Sequence, residues 1–455
     1  MKTWNIEDLE FELKKLQTEQ KIYQWKLEHQ QTLRKEFYLI QSDDSGVELD
    51  QDRRVEINST YATVYTKKEN NFCGHARMQL FTNKDLAQQI RDLVDLAELA
   101  SQQYWELPEV AAAAGRGAER AYLPLKADLE TGANTIYEQM REAILSEKSG
   151  EFNSSEIFVE INESENRLSN GLIDTSLSSK IYSEVCFSHR DSSTGLSEEF
   201  LLTKSGAHPE QLNFKQLCSN SAEFAKASLQ TQKPQSGATS VIVPAEVLAT
   251  LFHDLISHLE AGAKYYGMPF LETGAEVIPD FSGTPFKIAF DPEVDYAYAS
   301  LKRDGTGLPL KKLNLIEDNK VQTTISGYQM AQYLNIEPTS SFGNIRVEAE
   351  GASFDELTKS SDQVLEILQF SGLFTNAQNL TFSSEIRLAR LFDQRSGQVT
   401  FIKGGNLSGN IKENFKRIRF SNEQILENVN STYRGGNFGY IGPQFALLTE
   451  VSISS

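Results

Sequence analysis

Two of the six histidines, His253 and His258, stand five positions apart in the stretch "AEVLATLFHDLISHLEAGAKYYG", with Asp254 directly after the first. Imidazole nitrogens and a carboxylate are the donor types of a zinc centre and of the base that activates its water. In the common H-E-x-x-H arrangement the histidines fall at i and i+4 on one helix face, with Glu as the base. Here the spacing is one residue longer, and Asp254 is a methylene shorter than Glu. On an ideal helix the two imidazoles lie roughly 140° apart, so ligating one ion together requires a kink, a π-bulge or an early helix end. A purely structural account of the same residues stays open beside the metal. Asp254 and His258 are spaced i and i+4, as an acid–imidazole pair on a helix surface would be.

The element that must carry these groups is legible. Val247, Leu248, Leu251, Phe252, Leu255, Ile256 and Leu259 recur on one broad apolar arc. Pro244 suits the first helical turn, and the apolar run "SVIVP" before it reads as a strand. His253 falls on the polar side of this helix and His258 at the edge of the apolar arc. No other stretch rivals it: "SFGN" (341–344) and "KGGNLSGN" (403–410) lack the strand-to-helix setting of a phosphate loop. "FDPEVD" (290–295) and "RDGTGLP" (303–309) read as acidic surface turns. His75, His189 and His208 have no carboxylate at a useful spacing.

A length of 455 residues exceeds one compact core and favours two or three domains. The 44 Lys and Arg against 63 Asp and Glu give a charge of −19, which opposes nucleic acid and anionic membranes; "KENFKRIRF" (412–420) is the one dense cationic run. No apolar run is long enough for a membrane span, and the N-terminus is acidic and helix-like, the pattern of a cytoplasmic protein. Cys73, Cys186 and Cys218 are widely separated and form neither a disulfide framework nor a zinc ribbon.

Residues 7–36 show helical spacing and read as one long amphipathic helix. Two strands follow, then a helix from "NKDLAQQIRDLVDLAELA" with Asn83 as N-cap, a small-residue crossing at "AAAAGRGAER" (111–120), and a helix in "ANTIYEQMREAILSEK". Paired strands then turn at Ser169–Gly171 and lead to a helix over 214–229. The polar run 230–240 is the expected boundary, dividing an N-terminal α/β domain (1–235) from a C-terminal, β-rich, largely antiparallel domain (236–455), α+β overall. In the second domain "SFDELTKSSDQVLEILQFS" reads as a helix, with Ser353 and Glu356 spaced as a capping box.

The order of these landmarks resembles the TldD/PmbA family of peptidase-related proteins. The first half is similar through "FTNKDL" and "RLSNGL". The second half is similar through "DGTGLP", "LIEDNKV", "FGNIR", "GASFDELTKSSDQVLEILQFSGLF" and "GGNLSGNIKENFKRI". The resemblance runs from about residue 50 to the C-terminus. It implies a fold of TldD/PmbA type and a heterodimer of two branches acting on unfolded peptides. The TldD branch carries H-E-x-x-x-H, completed by a C-terminal Cys, as a zinc site.

His253, Asp254 and His258 match that longer spacing, with Asp254 in the place of the base, but no Cys follows Cys218, and Tyr433 stands nearest the position of the missing thiolate. "PAEV", "LF", "AGAKYY" and "FLETG" with its "IPD" ending resemble the PmbA (TldE) branch more closely. The resemblance thus implies a non-catalytic subunit of an intracellular peptidase, with a TldD-like partner or a homodimer and no bound metal. The alternatives are a divergent zinc metallopeptidase using His253, Asp254 and His258, with Glu260, Tyr433 or a partner residue completing the shell, and a homodimeric peptide-binding protein.

Overall fold

Strand pairing begins earlier in the chain than the spacing of residues 7–36 predicts. In the computed structural model, which describes residues 4–110, 112, 117–341, 343–431 and 436–455, helix α1 covers only Ile6–Thr18 and the chain then enters strand β1 (Gln24–Ile40). Gln20 takes a left-handed φ of 60°, and the Glu19 and Lys21 N–H groups return to the Lys15 and Leu16 carbonyls, closing the helix. Beyond that stop the decisive period is two: Trp25, Leu27, Leu33, Phe37 and Leu39 point to one face of β1, while Glu28, Gln30, Arg34 and Glu36 point to the other.

β1 is the central strand of a seven-stranded antiparallel sheet, in the order β4-β3-β2-β1-β5-β6-β7. The other strands are β2 (Glu48–Lys67), β3 (Phe72–Gln79), β4 (Gln102–Gln103), β5 (Glu151–Leu168), β6 (Ile173–Arg190) and β7 (Ser197–Gly206). One face is covered by helices in two groups. α1 and α2 (Leu86–Leu99) pack on Trp25, Leu27, Ala62 and Val64. α3 (Leu123–Ala127), α4 (Leu129–Ser146) and α5 (Phe214–Ser228) pack on Phe37, Ile157, Val159, Ile181 and Phe187. The N-cap of α2 is Asp85, whose carboxylate accepts from the Gln88 N–H, and not the expected Asn83. The turn at Ser169–Gly171 joins β5 to β6 as expected, Gly171 taking φ 91°. Of the small-residue crossing at 111–120, residues 111 and 113–116 lie outside the described residues.

The polar run 230–240 is built into sheet structure: β8 (Thr231–Gln232) pairs with a later strand, and β9 (Gly237–Pro244) starts within it. After β9 come α6 (Ala245–Ser257), α7 (Ala261–Tyr265), β10 (Phe286–Phe290), β11 (Leu313–Glu317), β12 (Lys320–Val321), α8 (Tyr328–Leu334), β13 (Ile345–Ala349) and β14 (Gly351–Ala352). The chain ends with α9 (Phe354–Thr358), β15 (Gln363–Phe370), β16 (Phe374–Asn376), β17 (Thr381–Asp393), β18 (Gln398–Ile402), β19 (Asn406–Asn410), α10 (Ile411–Asn414), β20 (Arg419–Ser421), β21 (Gln424–Ser431), β22 (Gly436–Pro443) and β23 (Phe445–Ser454). These strands form a six-stranded sheet, β12-β11-β10-β13-β22-β21, and a larger one, β14-β20-β23-β9-β15-β17-β18-β8, with β16 and β19 paired onto β17. Most pairs are antiparallel; β9 with β15 and β13 with β22 are parallel. α6 shares one hydrophobic core with strands of both sheets.

The expected helix over 353–371 is a single short one followed by a strand. Ser353 and Glu356 do form the capping box, but α9 ends at Thr358. The apolar run Val364–Ile367 then lies between β9 and β17, buried on both faces, where every position is apolar or ion-paired and helical spacing carries no information.

Candidate functional site

α6 leaves the larger sheet directly from β9, with Pro244 as its N-cap at φ −78°, ψ 167°. Leu248, Leu251, Phe252 and Leu255 are fully buried, and the Phe252 ring lies among Phe286, Phe415, Phe420 and Tyr440. This seating fixes the helix rotation and presents Glu246, Thr250, His253 and Ser257, spaced by four, three and four, as one stripe.

The helix ends one residue before His258. The His258 and Leu259 N–H groups reach back to Leu255 and Ile256, three positions away, so the last turn tightens to 3₁₀ geometry. His258 is the C-cap, 5% exposed, and its Nε2 lies 2.6 Å from the Ala377 carbonyl oxygen. A carbonyl only accepts, so this nitrogen carries the proton. Burial holds the imidazole below its ordinary pKa, against the Ala377 hydrogen bond, which favours the charged form. Asp254, 2% exposed, lies under the helix, with Oδ1 3.8 Å from His253 Nδ1.

His253 stacks on Phe438 of β22, with ring centroids 5.4 Å apart and planes inclined by 29°. Phe438 is held from behind by a fully buried side chain, Asn344. Its Oδ1 accepts from the N–H groups of Gly439 (2.8 Å) and Ala299 (2.9 Å), and its Nδ2 donates to the Asp291 carbonyl (3.0 Å) and the Ser300 hydroxyl (2.8 Å). Glu260, bridged to Ile325, sits close enough to His253 to feel its charge, while burial pushes the Glu260 carboxyl up. Tyr433 lies outside the described residues.

The structure therefore brings His253, Asp254 and Glu260 into one neighbourhood and commits His258 to Ala377. Zinc is the metal the resemblance implies, and a closed zinc site takes four donors. Among the described residues no three His, Cys, Asp or Glu side chains gather as such a site requires. With one His258 nitrogen given to a backbone carbonyl, these side chains do not by themselves fit the ion.

The acidic turns are more enclosed than surface loops. Asp291 is buried and accepts from Arg346 (2.8 Å). Asp304 closes its own turn by accepting from Thr306 and Leu308, and Arg303 donates to the Gly307 carbonyl. Gly307 lies against Leu172 at the tip of the β5–β6 hairpin, so this loop is one of the places where the second domain meets the first.

Spacing alone did not single out a further group at the start of α6. Glu246 stands near Lys204 of β7 and Glu427 of β21, and those two form an ion pair across the domains. The signal available in sequence was the i, i+4, i+7 stripe of Glu246, Thr250 and His253; it named no partner because Lys204 and Glu427 lie far off in the chain.

Residues 236–453 match the PmbA/TldA metallopeptidase C-terminal domain, which makes this second domain the hallmark of a known class. This second domain belongs to that family of metallopeptidase-related domains. TldE from Thermococcus kodakarensis superimposes with a TM-score of 0.75 at 15% identity, covering 97% of this chain and 100% of that one. A candidate modulator of DNA gyrase from Thermotoga maritima gives 0.75 at 16% identity over 99% and 100%. Another, from Bacteroides thetaiotaomicron, gives 0.73 at 16% over 97% and 98%. At these identities the likeness is one of fold. No curated protein matches the chain. Among the described residues no helix is long and apolar enough to cross a membrane.

Proposed function

We propose that this chain is a PmbA/TldE-like, non-catalytic subunit of an intracellular TldD/TldE-type peptidase, which encloses an unfolded peptide and supports a catalytic TldD-like partner. The observation that carries this reading is the capture of His258 Nε2 by the Ala377 carbonyl, beyond the last turn of α6. It separates the two imidazoles that a zinc helix must converge. Asp254 in place of Glu, and no Cys after Cys218, support the same reading. The branch itself rests on "PAEV", "LF", "AGAKYY" and the "FLETG" segment.

Peptide is held through its backbone. β7 and β21 are the outermost strands of their sheets and meet where Lys204 pairs with Glu427. A peptide added to such an edge gains main-chain hydrogen bonds whatever its side chains, which suits an unfolded substrate. The untagged protein should carry no stoichiometric zinc and should cleave peptide only when a TldD-like partner is added. Near-stoichiometric zinc that disappears in His253→Ala, together with hydrolysis by the chain alone, would overturn this reading.

A further inference from the structure

A cavity of about 230 Å³ opens between the two domains beside the start of α6. Its walls are mixed: Leu202, Val247 and Phe370 contribute apolar surface, and Thr203, Thr250, Gln369 and Glu246 supply polar atoms. That volume is below the roughly 300–1,000 Å³ of common small-molecule sites and suits one side chain or chain end.

Glu246 is the one ionisable group in the lining. Its side chain is exposed to solvent at the cavity mouth, and the protein mass around it, with Glu427, pushes its carboxyl above the usual range. The nearest cation, Lys204, is already paired with Glu427. Among the described residues no Lys, Arg or His forms an ion pair with Glu246. Two carboxylates thus stand near one ammonium at the mouth of this cavity, which leaves an excess negative charge there. The cavity lies on the stripe that continues through Thr250 to His253.

We propose that the cavity at Glu246 is a subsite for a cationic nitrogen, an ammonium or guanidinium flanked by apolar carbon, carried by a bound peptide. The inference rests on the peptide-binding reading above and adds a preference that backbone pairing cannot give. The cation supplies the charge Glu246 lacks, and Leu202, Val247 and Phe370 offer apolar surface to the methylenes that lead to it. A lysine or arginine side chain and a free peptide N-terminus share this chemistry.

Three fluorescent peptides titrated into the full-length protein test it: one capped at both ends with a central lysine, the same peptide with norleucine, and the norleucine peptide with a free N-terminus. One or both charged peptides should bind about tenfold or more tighter than capped norleucine, the scale of a charge-assisted hydrogen bond. Whichever is tighter identifies the source of the cation. Glu246→Gln should erase that preference and leave capped norleucine unchanged, while Glu246→Asp should retain part of it; unchanged circular dichroism checks the fold of both. Equal binding of all three, or a preference that survives Glu246→Gln, overturns the subsite while peptide binding stands. Failure of every peptide to bind overturns the peptide reading along with it.

Discussion

His258 Nε2 lies 2.6 Å from the carbonyl oxygen of Ala377, 119 positions along the chain. One hydrogen bond thus fastens the end of α6 to the segment between β16 and β17. The same bond decides what the imidazole can do: a ring that donates through Nε2 from a buried site is a structural fastener, whatever its place in a motif.

Replacing that fastener should cost stability before it costs function. His258→Ala is expected to lower the unfolding free energy by about 1–2 kcal/mol, leaving the Ala377 carbonyl without its donor. Partner-supported peptidase activity should persist at temperatures where the variant stays folded. Its pH dependence has a definite sign. The folded-state pKa lies below the unfolded value of about 6.5, so the unfolded chain takes up the proton first as pH falls. The stability His258 contributes is whole above that pH and drains below it. His29 is shifted in the same direction, so the informative quantity is the difference between wild type and variant in denaturant titrations from pH 7.5 to 5.

Glu246→Gln should stabilise the protein near neutral pH. A carboxyl held above its ordinary pKa is ionised more easily in the unfolded chain, so each step up in pH through the folded value favours unfolding. The gain in melting temperature should therefore be largest at pH 7 to 8 and shrink toward the ordinary carboxylate range. A variant less stable than wild type at pH 8 would mean that the carboxylate is held by contacts that favour its charge.

Asn344→Ala should be among the most damaging single substitutions. It strips the buried Gly439 and Ala299 N–H groups of their shared acceptor, at about 1–3 kcal/mol each. The expected loss is about 3 kcal/mol or more, read by denaturant unfolding, and Asn344→Asp should recover the acceptor side only.

Arg167 ties α1 to the tip of the β5–β6 hairpin through Glu10 (2.5 Å) and Glu7 (2.9 Å). Arg167→Ala should raise amide exchange across 6–18 and speed proteolysis there, with a modest loss of about 1 kcal/mol. Protection confined to Leu9 and Leu13 in both proteins would show that packing alone holds this helix.

What could be read from the sequence follows from how local each decision is. The arc of α6, the capping box at Ser353 and the turn at Gly171 are decided within a few residues and appear as expected. β1 misled because glutamines, glutamates and lysines that suit a helix face sit on the open side of a strand; only its partners, 48–67 and 151–168, make the period of two decisive. β15 misled for the opposite reason, since burial on both faces erases periodicity. The candidate site was legible as residues but not as geometry. Whether His258 turns toward His253 or away depends on a carbonyl 119 positions later, and the pairing of Lys204 with Glu427 depends on two domains meeting.

The central position of β1 also sets the order in which the first domain can assemble. Thr32 finds Asn162 at a separation of 130 positions, and β1 is flanked by β5 along nearly its whole length. During synthesis, β1 and β2 emerge as a hairpin with one long edge open until β5 follows. Closing so large a loop is slow, and an open edge invites intermolecular pairing. Pulse-labelled exchange should find β1 protected on its β2 side first, and chaperone depletion should trap nascent chains arrested between β2 and β5.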